Sequence, residues 1–125
     1  MTDSLIYKIV DADTWAAART AGRFDGAGID LADGYIHFSA RDQVAETARL
    51  HFAGREDLLL VAVDPARLGD ALKWEESRGG ALFPHLYAPL TMDAVAWVRP
   101  MPLGPDGAPV PPLDDAGGAG GAGAR

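Results

Sequence analysis

The chain contains no cysteine. Disulfides, thiolate metal sites and a cysteine nucleophile are therefore excluded together. No apolar run approaches the roughly 20 residues that span a membrane as a helix, and the first ten residues mix acidic and polar side chains where a secretory signal would be apolar. No cluster of lysine and arginine occurs, and the formal net charge is −7. An acidic domain repels phosphate backbones, so nucleic acid is not an expected partner. A Gly-x-Gly-x-x-Gly turn and a Walker loop are both missing, as are a Gly-x-Ser-x-Gly nucleophile elbow and His-x-x-x-His helical spacing. These absences leave the expectation of a cytoplasmic protein that meets a small molecule, with no membrane and no nucleic acid as partners. Oligomeric state is not legible.

What remains fits a globular domain: 125 residues, 48% hydrophobic and 23% charged. The composition changes after Arg99. Six of the nine prolines fall between Pro100 and Pro112, and the last ten residues are almost all glycine and alanine. Such a segment has little to bury. One domain over residues 1–103 and a disordered Pro/Gly/Ala-rich tail over 104–125 are expected.

Along the body, residues 5–10 read as a strand with Ile6, Lys8 and Val10 on one face and Leu5, Tyr7 and Ile9 on the other. Asp11 or Asp13 can cap an alanine-rich helix that Gly22 ends. Residues 24–33 read as a loop. A strand follows over 35–39, with Ile36 and Phe38 toward the core. Ser39-Ala40-Arg41-Asp42 fits a helix N-terminus, and the helix would bury Ala40, Val44, Ala48 and His51 before Gly54. The continuous apolar run 58–63 calls for a central strand covered on both faces. Short strands over 72–75, 82–87 and 94–98 complete the pattern. Trp74 is expected to be buried, and Pro84 suggests a sheet edge. Strands outnumber helices, which makes the expected class α+β with two main helices and a curved, mixed or antiparallel sheet.

Two segments concentrate chemistry: Tyr35, His37 and Ser39 in one strand, and Phe83, His85 and Tyr87 in another. Alternate residues of a strand share a face. Histidine changes charge near neutral pH, and the hydroxyls can hold a ligand. Two such strands facing one cleft would form a polar site. Each residue also has a plainer reading. His37 and Tyr87 can serve packing, Ser39 can simply cap a helix, and Glu75 can be a solvated charge beside Glu76. His37, His85 and Glu75 could also surround a zinc or iron ion in space, although no local spacing supports a metal site.

The ordered set Ile6-Tyr7-Lys8-Ile9, Asp33-Gly34-Tyr35-Ile36-His37-Phe38-Ser39, Leu59-Leu60, Asp64, Trp74-Glu75 and Phe83-Pro84-His85-Leu86-Tyr87-Ala88-Pro89-Leu90 resembles the bacterial family called domain of unknown function 952. The resemblance covers residues 5–97. That family is in turn distantly similar to the ADP-ribosyltransferase superfamily, which includes RNA 2′-phosphotransferases. The similarity implies a split, strongly bent sheet holding NAD as a substrate in its cleft, with no certain cofactor. On that mapping Tyr7 or Lys8 lies in the first-motif strand, and His37 stands where an aromatic stacks on nicotinamide. Glu75 or the His85 segment approaches the catalytic acid. The implied catalytic set is His37, Glu75 and His85. Tyr7, Lys8, Tyr35, Ser39 and Tyr87 are the implied ligand contacts, and no metal is assigned. The superfamily's His-Gly-Thr or Arg first motif has no counterpart here. The function expected is binding of a nucleotide-type ligand such as NAD or ADP-ribose, with ADP-ribosyl transfer or glycohydrolase activity. A noncatalytic binding domain and a metal-dependent hydrolase are the alternatives.

Overall fold

A computed structural model describes residues 5–113. Its centre is an antiparallel sheet of β1 (Ile6–Asp11), β4 (Leu58–Val63) and β8 (Val95–Pro100), in the order β1-β4-β8. The apolar run of β4 has the central place that its composition requires. Val61 and Val63 join Ile6 and Val10 on one face, packed with Trp15 and Ala18 of α1 (Ala12–Ala21). Leu58, Leu60 and Ala62 join Tyr7 and Ile9 on the other face, against Val44 and Ala48 of α3 (Val44–His51). Both faces are thus covered, as a strand without polar alternation demands.

Helix α1 begins where Asp11 accepts the Thr14 N–H at 2.9 Å and the Thr14 hydroxyl at 2.7 Å. It ends at Gly22, which takes the left-handed conformation at φ +87°. A second sheet contains β3 (Ile36–His37), β6 (Ala81–Leu86) and β5 (Leu72–Ser77), in the order β3-β6-β5. A two-strand ribbon pairs β2 (Arg23–Phe24) with β7 (Leu90–Thr91).

The two larger sheets meet just past β3. Phe38 N–H donates to the Pro84 carbonyl at 2.9 Å, but proline has no N–H to return the bond. The chain then crosses over: Tyr7 and Ser39 exchange two backbone hydrogen bonds of 2.8 Å. Pro84 therefore sits in the middle strand rather than at a sheet edge, at the point where its neighbour runs out.

Several expectations are corrected. Every strand pairing is antiparallel, so the sheets are not mixed. The two main helices are present, but the expected loop over 24–33 also holds the end of β2 and a short helix, α2 (Ile29–Asp33). The helix placed at Ser39 begins at Val44 instead, because Gln43 Oε1 accepts the Ala40 N–H at 2.8 Å and holds the chain in a turn. His51 is exposed: it lies in the last turn of α3, past the buried Val44 and Ala48. Trp74 is 46% exposed: it lies on the outer strand β5, beyond the part of that face where Leu72 packs against the core. The tail expected from residue 104 folds back as far as Leu113. Gly54 N–H donates to Gly107 at 2.8 Å, and the Arg99 guanidinium donates to the Pro112 carbonyl at 2.9 Å. The rest of that expectation, residues 114–125, lies outside the described residues. Among the described residues no helix is long and apolar enough to cross a membrane.

Candidate functional site

The alternation along β1 decides which of its polar residues reaches the site. Tyr7 points into the α3 side of the core, 4% exposed, with its ring 5.9 Å from Trp97. Lys8 points the opposite way, to the side of α2 and β3, and meets Asp30. Its ammonium lies 2.8 Å from Asp30 Oδ2 and 3.0 Å from Oδ1. Asp30 also accepts the backbone N–H groups of Ala27 at 3.1 Å and His37 at 3.0 Å. Its Oδ1 lies 2.6 Å from His37 Nδ1. Gly26 must be glycine for this cradle to close. A Cβ there would stand 2.9 Å from the Asp30 Cβ, at a φ of +111°.

Burial works against charge on both partners of this pair. It pulls the Lys8 ammonium below its ordinary pKa against the attraction of Asp30. Burial also pushes Asp30 upward, but the Lys8 charge and the hydrogen bonds from Lys8, His37 and Ala27 outweigh it, and the net direction is down. His37 Nε2 lies 3.0 Å from Asp33 Oδ2, so each ring nitrogen faces a carboxylate.

A second histidine–carboxylate pair lies alongside. His37 and His85 are register partners between β3 and β6, which puts both rings on one face with centroids 5.3 Å apart. His85 Nδ1 is 2.8 Å from Glu75 Oε1, and the Tyr87 hydroxyl donates to the same oxygen at 2.7 Å. Tyr35 covers the group: its ring stacks on His85 at 4.2 Å and lies 4.6 Å from His37 and 5.0 Å from Tyr87. These bonds hold Glu75 below the ordinary carboxylate range, the His85 bond most and the Tyr87 bond next. The Tyr87 phenol is pushed up to about 12, chiefly by its bond to Glu75. Tyr35 is raised by desolvation first, then by the negative charges of Asp33 and Glu75. Absorbance titration of the phenols checks this field. Tyr87 ionises near 12, and Glu75→Gln returns it toward the ordinary value of about 10.

Tyr35 and Tyr87 also border an open groove of about 260 Å³ whose lining includes Asp25, Asp30, Leu31 and Pro89. His37 keeps part of its ring accessible, with a side chain 28% exposed. His85 does not: it is 3% exposed, beneath Tyr35.

Of the expected site residues, Lys8, Tyr35, His37, Glu75, His85 and Tyr87 come together. Tyr7 and Ser39 do not. Ser39 is 5% exposed, its hydroxyl 3.0 Å from that of Thr47. Among the described residues no group of three or more histidine, aspartate or glutamate side chains is disposed to hold a metal ion.

Sequence reasoning passed over Asp30 and Asp33. Helix α2 is inverted relative to an ordinary amphipathic element: Ile29 and Leu31 are 64% and 66% exposed, while Asp30 is buried. Hydrophobic periodicity points the wrong way there. The available signal was a Gly-rich turn on either side of a short acidic run.

The chain belongs to the family described as protein of unknown function (DUF952), whose model matches residues 9–98. It is similar to the crystal structure of protein CC0527 from Caulobacter crescentus, with 50% identity, 86% of this chain and 94% of that chain covered, and a TM-score of 0.83. A crystal structure of a double mutant of CC0527 gives the same values. The solution structure of CC0527 covers 90% of this chain and 95% of its own, with 50% identity and a TM-score of 0.78. No curated protein matches.

Proposed function

We propose that the groove beside Tyr35 and Tyr87 binds a nucleotide-type small molecule through a planar, positively charged ring, with NAD as the leading candidate. The observation that carries this reading is the Glu75 carboxylate, fixed by His85 and Tyr87 beside the Tyr35 ring. An aromatic face attracts a cation, and the acidic side chains nearby add to the attraction. The resemblance to ADP-ribosyltransferases read from the sequence implies the same ligand class. The negative field disfavours phosphate-rich polymers, so the partner is a single small molecule rather than nucleic acid.

The same carboxylate suits glycosidic cleavage. When the bond between ribose C1′ and the nicotinamide nitrogen breaks, the electron pair leaves with the ring, which becomes neutral. The ribose is left with positive charge that an ionised carboxylate stabilises. Water or another nucleophile then bonds to C1′ and gives up its proton to Glu75 or solvent. His85, closed off behind Tyr35, positions Glu75 and does not touch the ligand. His37, partly exposed, holds Asp30, which lines the groove.

Calorimetric titration with NAD⁺, NADH and ADP-ribose tests the reading, with chromatography for released nicotinamide. NAD⁺ is expected to bind more tightly than NADH, whose ring is uncharged, and Tyr35→Ala is expected to weaken NAD⁺ about tenfold. Binding without nicotinamide release would make the protein a noncatalytic binder. No heat with NAD⁺, or binding indifferent to Tyr35, would overturn the proposal.

A further inference from the structure

Strand β5 has β6 on one side and, among the described residues, no strand on the other. The hydrogen-bond pattern shows which of its backbone groups are free. Pro84 accepts from Phe38 on the β3 side, while Tyr87 N–H donates to the Ala71 carbonyl on the β5 side. In an antiparallel ladder the N–H and C=O of one residue point the same way and alternate along the strand. Lys73, Glu75 and Ser77 therefore bond to β6, opposite His85, Phe83 and Ala81. Trp74 and Glu76 turn their backbone groups outward, as does the Leu72 carbonyl, while the Leu72 N–H is held by the Gly69 carbonyl at the end of the preceding turn. The edge has no proline, no glycine and no bulge to blunt it. Its side chains add an apolar spot, with Trp74 46% and Leu82 52% exposed.

We propose that this edge pairs antiparallel with the same edge of a second copy of the chain, about a two-fold axis at Trp74. The register follows from complementarity. Centred on Trp74, the N–H and C=O of Trp74 meet those of Trp74 in the second copy, and each Glu76 N–H meets a Leu72 carbonyl. On the face that carries the candidate site, each Lys73 then stands opposite Glu75 of the other copy. Such non-hydrogen-bonded neighbours have the closest side chains in a ladder. On the opposite face the two Trp74 side chains meet. Centring on Glu75 would instead set two carboxylates against each other. The result is a continuous six-stranded sheet in the order β3-β6-β5-β5-β6-β3. It brings a lysine from each copy beside Glu75 of the other. This pairing stands on the edge geometry and holds whether or not the groove takes NAD.

Six-residue edge pairing lies at the small end of interfaces, below roughly 1,200 Å², so the dimer is of the transient class. Sedimentation of the full chain from micromolar to millimolar concentration reads it directly: the average mass rises from one chain toward two. Lys73→Glu sets like charges opposite each other and is expected to weaken association about tenfold or more. Mixing Lys73→Glu with Glu75→Lys is expected to restore a heterodimer. Trp74→Pro removes an N–H that the monomer does not use, so the fold, read by circular dichroism, persists while the dimer is lost. A wild-type chain that stays monomeric throughout, or a folded Trp74→Pro variant that still dimerises, would overturn the proposal.

Discussion

Asp30→Ala is expected to destabilise the fold by about 3–5 kcal/mol, because it leaves the Lys8 ammonium buried with no counter-charge. The Lys8 side chain is 12% exposed and that of Asp30 1% exposed, so water cannot take over the lost contact. The backbone N–H groups of Ala27 and His37 also lose their acceptor. In a domain of this size the melting temperature falls by about 10 °C or more. Lys8→Met combined with Asp30→Leu removes both charges and recovers much of the loss, since a buried ion pair contributes little over a packed apolar pair. Urea denaturation of the three proteins checks this, and an Asp30→Ala variant within about 1 kcal/mol of wild type would contradict it. Acid has a related effect. The folded pKa of Asp30 is depressed, as is that of Asp11, whose main cause is the Thr14 hydroxyl. The unfolded chain therefore takes up these protons first as pH falls. The stability these groups supply is present above about pH 4 and is lost below it, through their folded pKa values.

Glu75→Gln separates binding from chemistry. The carboxamide keeps the size of the side chain and an oxygen to accept from His85 Nδ1–H and the Tyr87 hydroxyl, but it carries no charge. If Glu75 stabilises positive charge developing on the ribose, nicotinamide release falls about 10²–10³-fold. NAD affinity then changes by only a few-fold, because the tyrosine surface is intact. Tyr35→Ala shows the opposite pattern, losing affinity first. Equal loss of binding and release in Glu75→Gln would mean that the residue holds the site together and takes no part in the reaction. His85→Ala, with the Glu75 carboxylate freed from its ring, is expected to reduce release at nearly unchanged affinity.

The sequence carries most of the site, because strand alternation is a strong geometric rule. His85 and Tyr87 meet Glu75 from one side as their two-residue spacing requires, Lys8 and Tyr7 part company by the same alternation, and His37 joins them through its register with His85. The continuous apolar run of β4 announced its own burial. What escaped were elements whose burial runs against their chemistry. Asp30 is an acid inside and Ile29 and Leu31 are apolar outside, so periodicity could not find α2. Residue type and helical stripe place Trp74 and His51 inside, yet both are exposed, one on an outer strand and the other in the last turn of α3. Ser39 has the signature of a cap, but α3 starts at Val44 with no side-chain cap, and Ser39 pairs through its backbone with Tyr7. These outcomes depend on which distant segments meet, and local pattern does not encode that.

Pro84 also decides how far the histidine-bearing sheet can grow. Any residue with an amide hydrogen at that position could return a bond to Phe38 and lengthen β3, while Ser39, whose backbone groups turn the other way, would still pair with Tyr7. The missing hydrogen acts as a stop signal in the ladder. The two sheets share a backbone link, the Tyr7–Ser39 pair, and one apolar core, in which Ile36 and Leu86 pack with Ile6, Val10, Val61 and Val63. The plate carrying Glu75, His37 and His85 is thereby riveted to the core plate both at a seam and along a face.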